Sequence, residues 1–173
     1  EIKKAERRKQ ERLYWLQRIE TLSGLLGRDL QNRNLFLCWK LGQELSQCPY
    51  TRTEPDFISR ISGIVKIPEG QLRKYMFFSS AFDRISLSLD WEAYEELLKV
   101  NDAEERLYYY HAAHLHSWNC KVLQEQIRKE DYRRRDALQR KEVMNHSLVL
   151  VDPVQRAEEY LKNSGKEISS SLS

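Results

Sequence analysis

Three of the chain's four histidines and one of its three cysteines fall within the stretch Tyr108 to Cys120, YYYHAAHLHSWNC. Imidazole nitrogens and a thiolate are zinc-ligand types, and a structural site needs four of them in a tetrahedron. On a helix advancing about 100° per residue, His111 and His114 share a face while His116 points away from both. Cys120 lies beyond a helix break expected at Ser117. The expectation is therefore no metal and no cofactor, with alanines and aromatics packed and the histidines on the wetter side. A Cys–His nucleophile would need a thiol of depressed pKa beside an oriented imidazole, and no spacing here specifies that. A metal-dependent nuclease needs acids on a divalent cation and a lysine near the attacking water. Pro55-Asp56 supplies one dipeptide of that kind, but the chain's single (D/E)-x-K triplet, Glu1-Ile2-Lys3, lies upstream in a charged arm. Pro55-Asp56 is better explained as a helix start, and no catalytic function is expected of this chain. Tyr108, Tyr109 and Tyr110 could stack on bases; the ordinary alternative is helix core with one ring at the surface.

A second set of residues could bind rather than react. Phe57, Ile58, Ile61, Ile64 and Val65 give one helix an apolar face, with Pro55 at a plausible first helical position. Lys66 to Gly70 forms a turn, and a further helix from Glu69 or Gly70 to about Phe82 carries Leu72, Tyr75, Met76, Phe78 and Phe82 as core contacts. Helix, short turn, helix is the requirement of a helix-turn-helix. Its second member would project Gln71, Arg73 and Lys74, types that reach base edges and phosphates. Arg60 and Lys66 would add contacts. Arg133, Arg134 and Arg135 belong to one of two basic clusters; the other is Lys3, Lys4, Arg7, Arg8, Lys9 and Arg12. Both are interleaved with acids, so solvated helix faces are the plain alternative to phosphate contact.

The elements that must position these residues are helical. Six glycines and four prolines in 173 residues leave long uninterrupted segments. Leu13, Leu16, Ile19, Leu22 and Leu26 recur as one face of a first helix, about Ile2 to Leu26. A second covers roughly Asn32 to Ser46, its apolar residues dense enough for burial on more than one side. Gln47 to Glu54 breaks the pattern. Ser86 to Leu89 is a small strand or a loop. Asp90 and either Asn101 or Asp102 read as N-caps, and Ser117 as the cap of a long helix, Trp118 to about Lys141. LVLVDPV after His146 leads to a short helix and, from Gly165, a serine-rich end expected to be disordered or linker. The long basic helix could pair with the charged first helix, as a packed hairpin or a homodimer.

Net charge is only +3, so the whole chain is no polycation and the distribution of charge matters more than its sum. The odd cysteine number at unrelated spacings gives no disulfide framework, which fits a reducing cytoplasm. No apolar run approaches the roughly 20 residues of a membrane span, and no signal peptide is visible. The chain opens with Glu1 rather than Met, as expected for a piece of a longer protein.

The residues Leu89, Trp91, Tyr94, Leu97, Leu98, Val100, Asp102, Arg106, Tyr108, Tyr109, Ala113, Trp118, Leu123, Gln126 and Ile127 resemble a pattern of YhcG-like bacterial proteins: L-x-W-x-x-Y-x-x-L-L, a capped helix with an arginine and an aromatic pair, then W-S-x-R-x-L-x-x-Q-I. Asn32 to Gly42, NRNLFLCWKLG, and Leu72 to Phe82, LRKYMFFSSAF, are similar to two further blocks in the same order. The chain departs from the pattern at Ala93, Asn119 and Lys121, where the family usually has histidine, serine and arginine. The resemblance implies the family's helical, winged-helix-type N-terminal domain, long of unknown function, which usually precedes a PD-(D/E)XK nuclease domain. A nuclease domain, if the parent has one, would lie beyond Ser173.

The combined expectation is a mostly α protein with a helix-turn-helix or winged-helix core near Pro55 to Leu89 and long flanking helices. Residues 1–27 would be a charged helix, 28–142 the domain and 143–173 a linker or tail. The expected function is non-catalytic binding of double-stranded DNA. The rival is a helical protein-interaction or dimerisation module that touches no nucleic acid.

Overall fold

The structure, a computed structural model, describes residues 1–28 and 34–172, with side chains up to 27 and from 34 to 163. The described residues form α-helices: α1 (Ile2–Arg28), α2 (Leu35–Gln47), α3 (Pro49–Thr53), α4 (Phe57–Val65), α5 (Glu69–Ala81) and α6 (Trp91–Leu98). After these come α7 (Ala103–Leu115), α8 (Cys120–Arg128), α9 (Asp131–Arg134), α10 (Ala137–Met144) and α11 (Pro153–Leu172). The mostly α class expected from the sequence is what the chain adopts. Among the described residues the one β pairing is an isolated antiparallel bridge, Ile85 to Val151. The segment Ser86 to Leu89 is therefore a turn region, and no hairpin wing is formed by described residues.

Contacts divide the chain into two compact units, Glu1–Ser80 with Pro153–Ser173, and Ala81–Asp152. This grouping differs from the expected one: α1 packs on α2 and α4, and α11 packs on α2, so both ends of the chain join the first unit. In that unit Ile19, Leu22, Leu37, Leu41, Leu45, Phe57, Ile61, Leu72 and Phe78 are buried. Only the C-terminal part of the α1 stripe is covered; Leu13 stays 48% exposed. Asn34 caps α2 by accepting the Phe36 and Leu37 amides at 2.9 and 3.3 Å. The expected helix start at Asn32 lies outside the described residues.

A half-buried ion cluster fastens three of these helices. Arg18 of α1 donates through Nε and Nη2 to Glu44 Oε1 of α2 at 3.0 and 2.6 Å. Lys40 Nζ lies 3.5 Å from both Glu44 and Glu158, the latter on α11. Lys40 and Glu44 are buried, so each charge needs its partners; removing one would strand another in a low-dielectric interior.

The backbones of α2 and α5 approach closely at one point. A Cβ added to Gly42 would stand 1.9 Å from the Tyr75 carbonyl oxygen and 2.3 Å from its carbon. Backbone meets backbone there, so only glycine fits.

The second unit is built on tyrosine. Tyr94, Tyr108, Tyr109 and Tyr110 are buried, with Phe82, Ile85, Trp91, Leu97 and Leu123. The Phe82 ring lies 5.2 Å from Tyr94 and 4.9 Å from Tyr110. Asp90, Asp102, Asn119 and Asp136 cap α6, α7, α8 and α10 through their side chains.

Several local expectations are corrected. Pro49 begins a helix, α3, inside the segment read as a break. Pro55 precedes α4, whose N-cap is Asp56. Ser117 is not a cap: at φ 52 it closes α7 in the left-handed region, with Trp118 N–H bonded to Ala113 O at 2.9 Å and Ser117 N–H to His114 O at 3.4 Å. The long helix expected after Trp118 is three short ones, interrupted by Glu130 at φ 58 and by extended Arg135. The backbone of α11 stays helical to Leu172, past Gly165.

Gly42→Ala should cost about 3 kcal/mol or more, because the clash is with backbone that cannot rotate away. Gly63→Ala on α4, where an added Cβ meets nothing within 4 Å, should be neutral or stabilising by up to about 1 kcal/mol. Urea unfolding of both variants checks this; an unchanged midpoint for Gly42→Ala would contradict the close crossing.

Candidate nucleic-acid interface

The turn between α4 and α5 is three residues, Lys66 to Pro68. Lys66 adopts φ 62, ψ 34, and its N–H bonds Ser62 O at 3.0 Å. Ser62 Oγ donates to Ile67 O at 2.7 Å. Pro68 O then accepts the Gln71 and Leu72 amides at 3.0 and 3.1 Å, starting α5. Glu69 sits in the first turn, where the helix dipole favours negative charge.

The faces of α5 follow from 100° per residue. Leu72, Tyr75 and Phe78 are buried toward the bundle, while Gly70, Arg73, Lys74, Phe77 and Ser80 are exposed along one stripe. Arg73 and Lys74 thus stand where the sequence placed them. Arg73 Nη2 pairs with Glu69 Oε1 at 2.9 Å, one turn away. Both partners are exposed, and such a pair is worth only about 0.3–0.5 kcal/mol, so it yields readily to a phosphate. Lys66 is exposed at the turn.

Gln71 is a correction. It falls between Tyr75 and Phe78 on the helical wheel and is half-buried, its Nε2 enclosed with no hydrogen bond to a described residue. Phe77, which the sequence reading passed over, occupies the outer stripe at 40% exposure. Its spacing, four from Arg73 and three from Lys74, was the available signal.

Arg60 is engaged elsewhere. Its Nη2 bonds Glu54, and Asp56 lies 3.9 Å from its Nε. Glu54 also accepts Nη1 and Nη2 of Arg12 at 2.6 and 3.0 Å, and the Arg12 guanidinium lies over the Tyr50 ring at 4.8 Å. Glu54 is thus a joint between α1 and the start of α4. The Arg12 hydrogen bond, and then that from Arg60, hold its carboxyl down at about 2.

Arg133, Arg134 and Arg135 belong to the other unit. Arg133 has Glu130 at 3.6 Å and Glu105 at 4.0 Å, and Arg135 Nε reaches buried Asp131 at 3.4 Å. The units differ in charge. Residues 1–80 and 153–173 carry 18 Lys and Arg against 12 Asp and Glu, net +6; residues 81–152 carry 11 against 14, net −3. The arginine triplet therefore sits on an acidic body.

The histidine stretch has a structural explanation. His111 Nδ1 faces His146 O at 3.3 Å, and burial pushes its pKa down. His114 Nδ1 faces Tyr110 O at 2.7 Å, and His116 stacks on Trp118 at 5.2 Å. Among the described residues no three His, Cys, Asp or Glu side chains are grouped to hold a metal. Burial pushes the Cys120 thiol up, opposite to a nucleophile's need. All three tyrosines are buried, so none is left at the surface to stack on a base. Tyr108 Oη donates to Asp131 Oδ2 at 2.6 Å, Tyr109 Oη accepts the Tyr132 amide at 3.1 Å, and Tyr110 Oη lies 3.0 Å from Tyr94 Oη.

No family model, curated protein or solved structure matches this chain. No helix among the described residues is long and apolar enough to cross a membrane.

Glu54 has a pKa lowered from 4.5 to about 2 by folding, so its stabilisation is present above about 4.5 and lost as pH falls toward 2. The stability gap between wild type and Glu54→Gln should therefore shrink across that window. Urea midpoints at a series of pH values measure it, and a gap independent of pH would contradict the joint.

Proposed function

We propose that this chain is a non-catalytic module that binds double-stranded DNA through the helix-turn-helix-like pair α4–α5. The carrying observation is that Arg73, Lys74 and Phe77 share the outer stripe of α5 on the unit of net charge +6, while the opposite face is held against α2. Cations on such a stripe meet phosphates or guanine edges, and an exposed aromatic edge suits a thymine methyl. Lys66 at the turn adds a phosphate contact. Arg60 is assigned to the α1 joint and Gln71 to the bundle side, and the Arg133–Arg135 group is left out of the interface because its unit is acidic. The reading needs no wing.

The resemblance to the N-terminal domain of YhcG-like proteins supports this only at the level of fold. Leu89, Trp91, Tyr94, Leu97, Val100, Arg106, Tyr108, Tyr109, Ala113 and Leu123, which carry much of it, are buried in the second unit. Such residues specify packing, not a ligand.

The test is duplex binding at several salt concentrations for wild type and the double variant Arg73→Ala/Lys74→Ala. Losing two phosphate contacts should lower the slope of log K against log salt by about 1.8 and weaken binding at moderate salt several-fold or more. Lys66→Gly separates contact from fold: relief of the left-handed backbone should raise stability by about 1 kcal/mol while affinity falls. Absent duplex binding, or binding indifferent to the double variant, would favour the rival interaction module.

A further inference from the structure

The first three turns of α1 are basic in an arrangement that is costly for a free helix. Residues 1–11 are exposed on every side, yet the helix is continuous from Ile2. Lys3 and Arg7 are four residues apart, and so are Lys4 and Arg8. Like charges at that spacing face one another and repel, each pair costing a few tenths of a kcal/mol. The first turn holds Lys3 and Lys4 and no acid, against the sign the helix dipole favours. Glu6 and Glu11 offset part of this from i,i+3 and i,i+4 positions, but residues 2–11 still carry five cations against two anions. A surface of closely spaced negative charge reverses both costs together.

We propose that residues 2–11 form a basic arm lying along the sugar–phosphate backbone of the duplex, with Lys3, Lys4, Arg7 and Arg8 as its contacts. This rests on the DNA-binding reading and extends it to a second element. Duplex DNA is the occupant the charge pattern favours: it presents one phosphate per about 1.7 Å of axis, so several cations along one helix find partners at once. The base of the arm is fixed, because Arg12 is held by Glu54, which also binds Arg60 at the head of α4. The arm therefore leaves the bundle next to the helix pair that the reading places on DNA. Arg12 itself is committed to that joint and is not among the contacts.

The experiment uses the full chain in three forms: wild type, Arg73→Ala/Lys74→Ala, and a variant with Lys3, Lys4, Arg7 and Arg8 all replaced by Gln. Glutamine keeps helix propensity, and the hydrogen bond that joins the arm to the bundle, from Tyr50 Oη to Arg8 O at 3.5 Å, uses backbone that the substitution keeps, so the urea midpoint of the Gln variant should match wild type. With a short duplex its salt slope should fall by about 3.6, and amide hydrogen exchange in residues 2–11 of wild type should slow when duplex is added. A wild-type salt slope in the Gln variant with unprotected arm amides would overturn the arm while leaving the α5 interface standing, provided the α5 variant still loses affinity. No duplex binding by wild type would overturn both. Binding to vesicles of phosphatidylcholine and phosphatidylserine as tight as to duplex, and equally lost in the Gln variant, would overturn the DNA assignment of the arm in favour of an anionic membrane surface.

Discussion

The backbone contact between Gly42 of α2 and the Tyr75–Met76 peptide of α5 is the constraint on which the placing of α5 in the first unit depends. Helix axes usually stand 8–10 Å apart because side chains separate them. Here one residue without a Cβ lets two backbones touch. The contact fixes which side of α5 meets α2, since it is the Tyr75–Met76 peptide that abuts Gly42. Once that is fixed, 100° per residue puts Leu72 and Phe78 inside, Arg73, Lys74 and Phe77 outside, and Gln71 at the inner edge. A side chain at position 42 would push the two backbones apart at this point.

Charge is organised around the same body. The cluster of Arg18, Lys40, Glu44 and Glu158, buried at Lys40 and Glu44, uses two cations and two anions to bind α1, α2 and α11 together and leaves little net charge behind. Glu54 neutralises Arg12 and Arg60 at the α1–α4 joint. The unit keeps a net charge of +6, and its exposed cations include Arg73 and Lys74 on the outer stripe of α5, Lys66 at the turn and the first turns of α1, with acids such as Glu6, Glu11 and Glu69 among them. The second unit follows a different logic. Its tyrosines bring hydroxyls into the core, and each finds a partner, so its specificity comes from buried hydrogen bonds while its surface is net acidic.

Most of the helices were legible in the sequence because they rest on local signals, though α3 was read as a break and α8 to α10 as one helix. The caps Asp90 and Asp102 and the starts of α5 and α6 follow from short-range patterning. Three features were not legible, each for a physical reason. Non-glycine residues at positive φ, Ser117 and Glu130, end helices without the glycine that would have announced it. The side of α5 that Gln71 occupies depends on a tertiary contact thirty residues away in α2, which no window around residue 71 contains. The basic residues Arg60 and Arg135 look available in a one-dimensional charge count, but their partners Glu54 and Asp131 are brought to them by folding. The same holds for the three adjacent tyrosines. On a bare helical wheel one of them must face outward, yet α9 and the bridge region around Ile85 and Ser86 enclose the helix from several sides.

The central claim is that the outer stripe of α5 is the surface that meets the duplex. Amide chemical shifts recorded while a short DNA duplex is titrated into the full chain test it most directly. The account predicts the largest shifts at Gly70, Arg73, Lys74, Phe77 and the Lys66 turn, with Leu72, Tyr75 and Phe78 changing little. Shifts confined to residues 81–152, or none at saturating duplex, would contradict it.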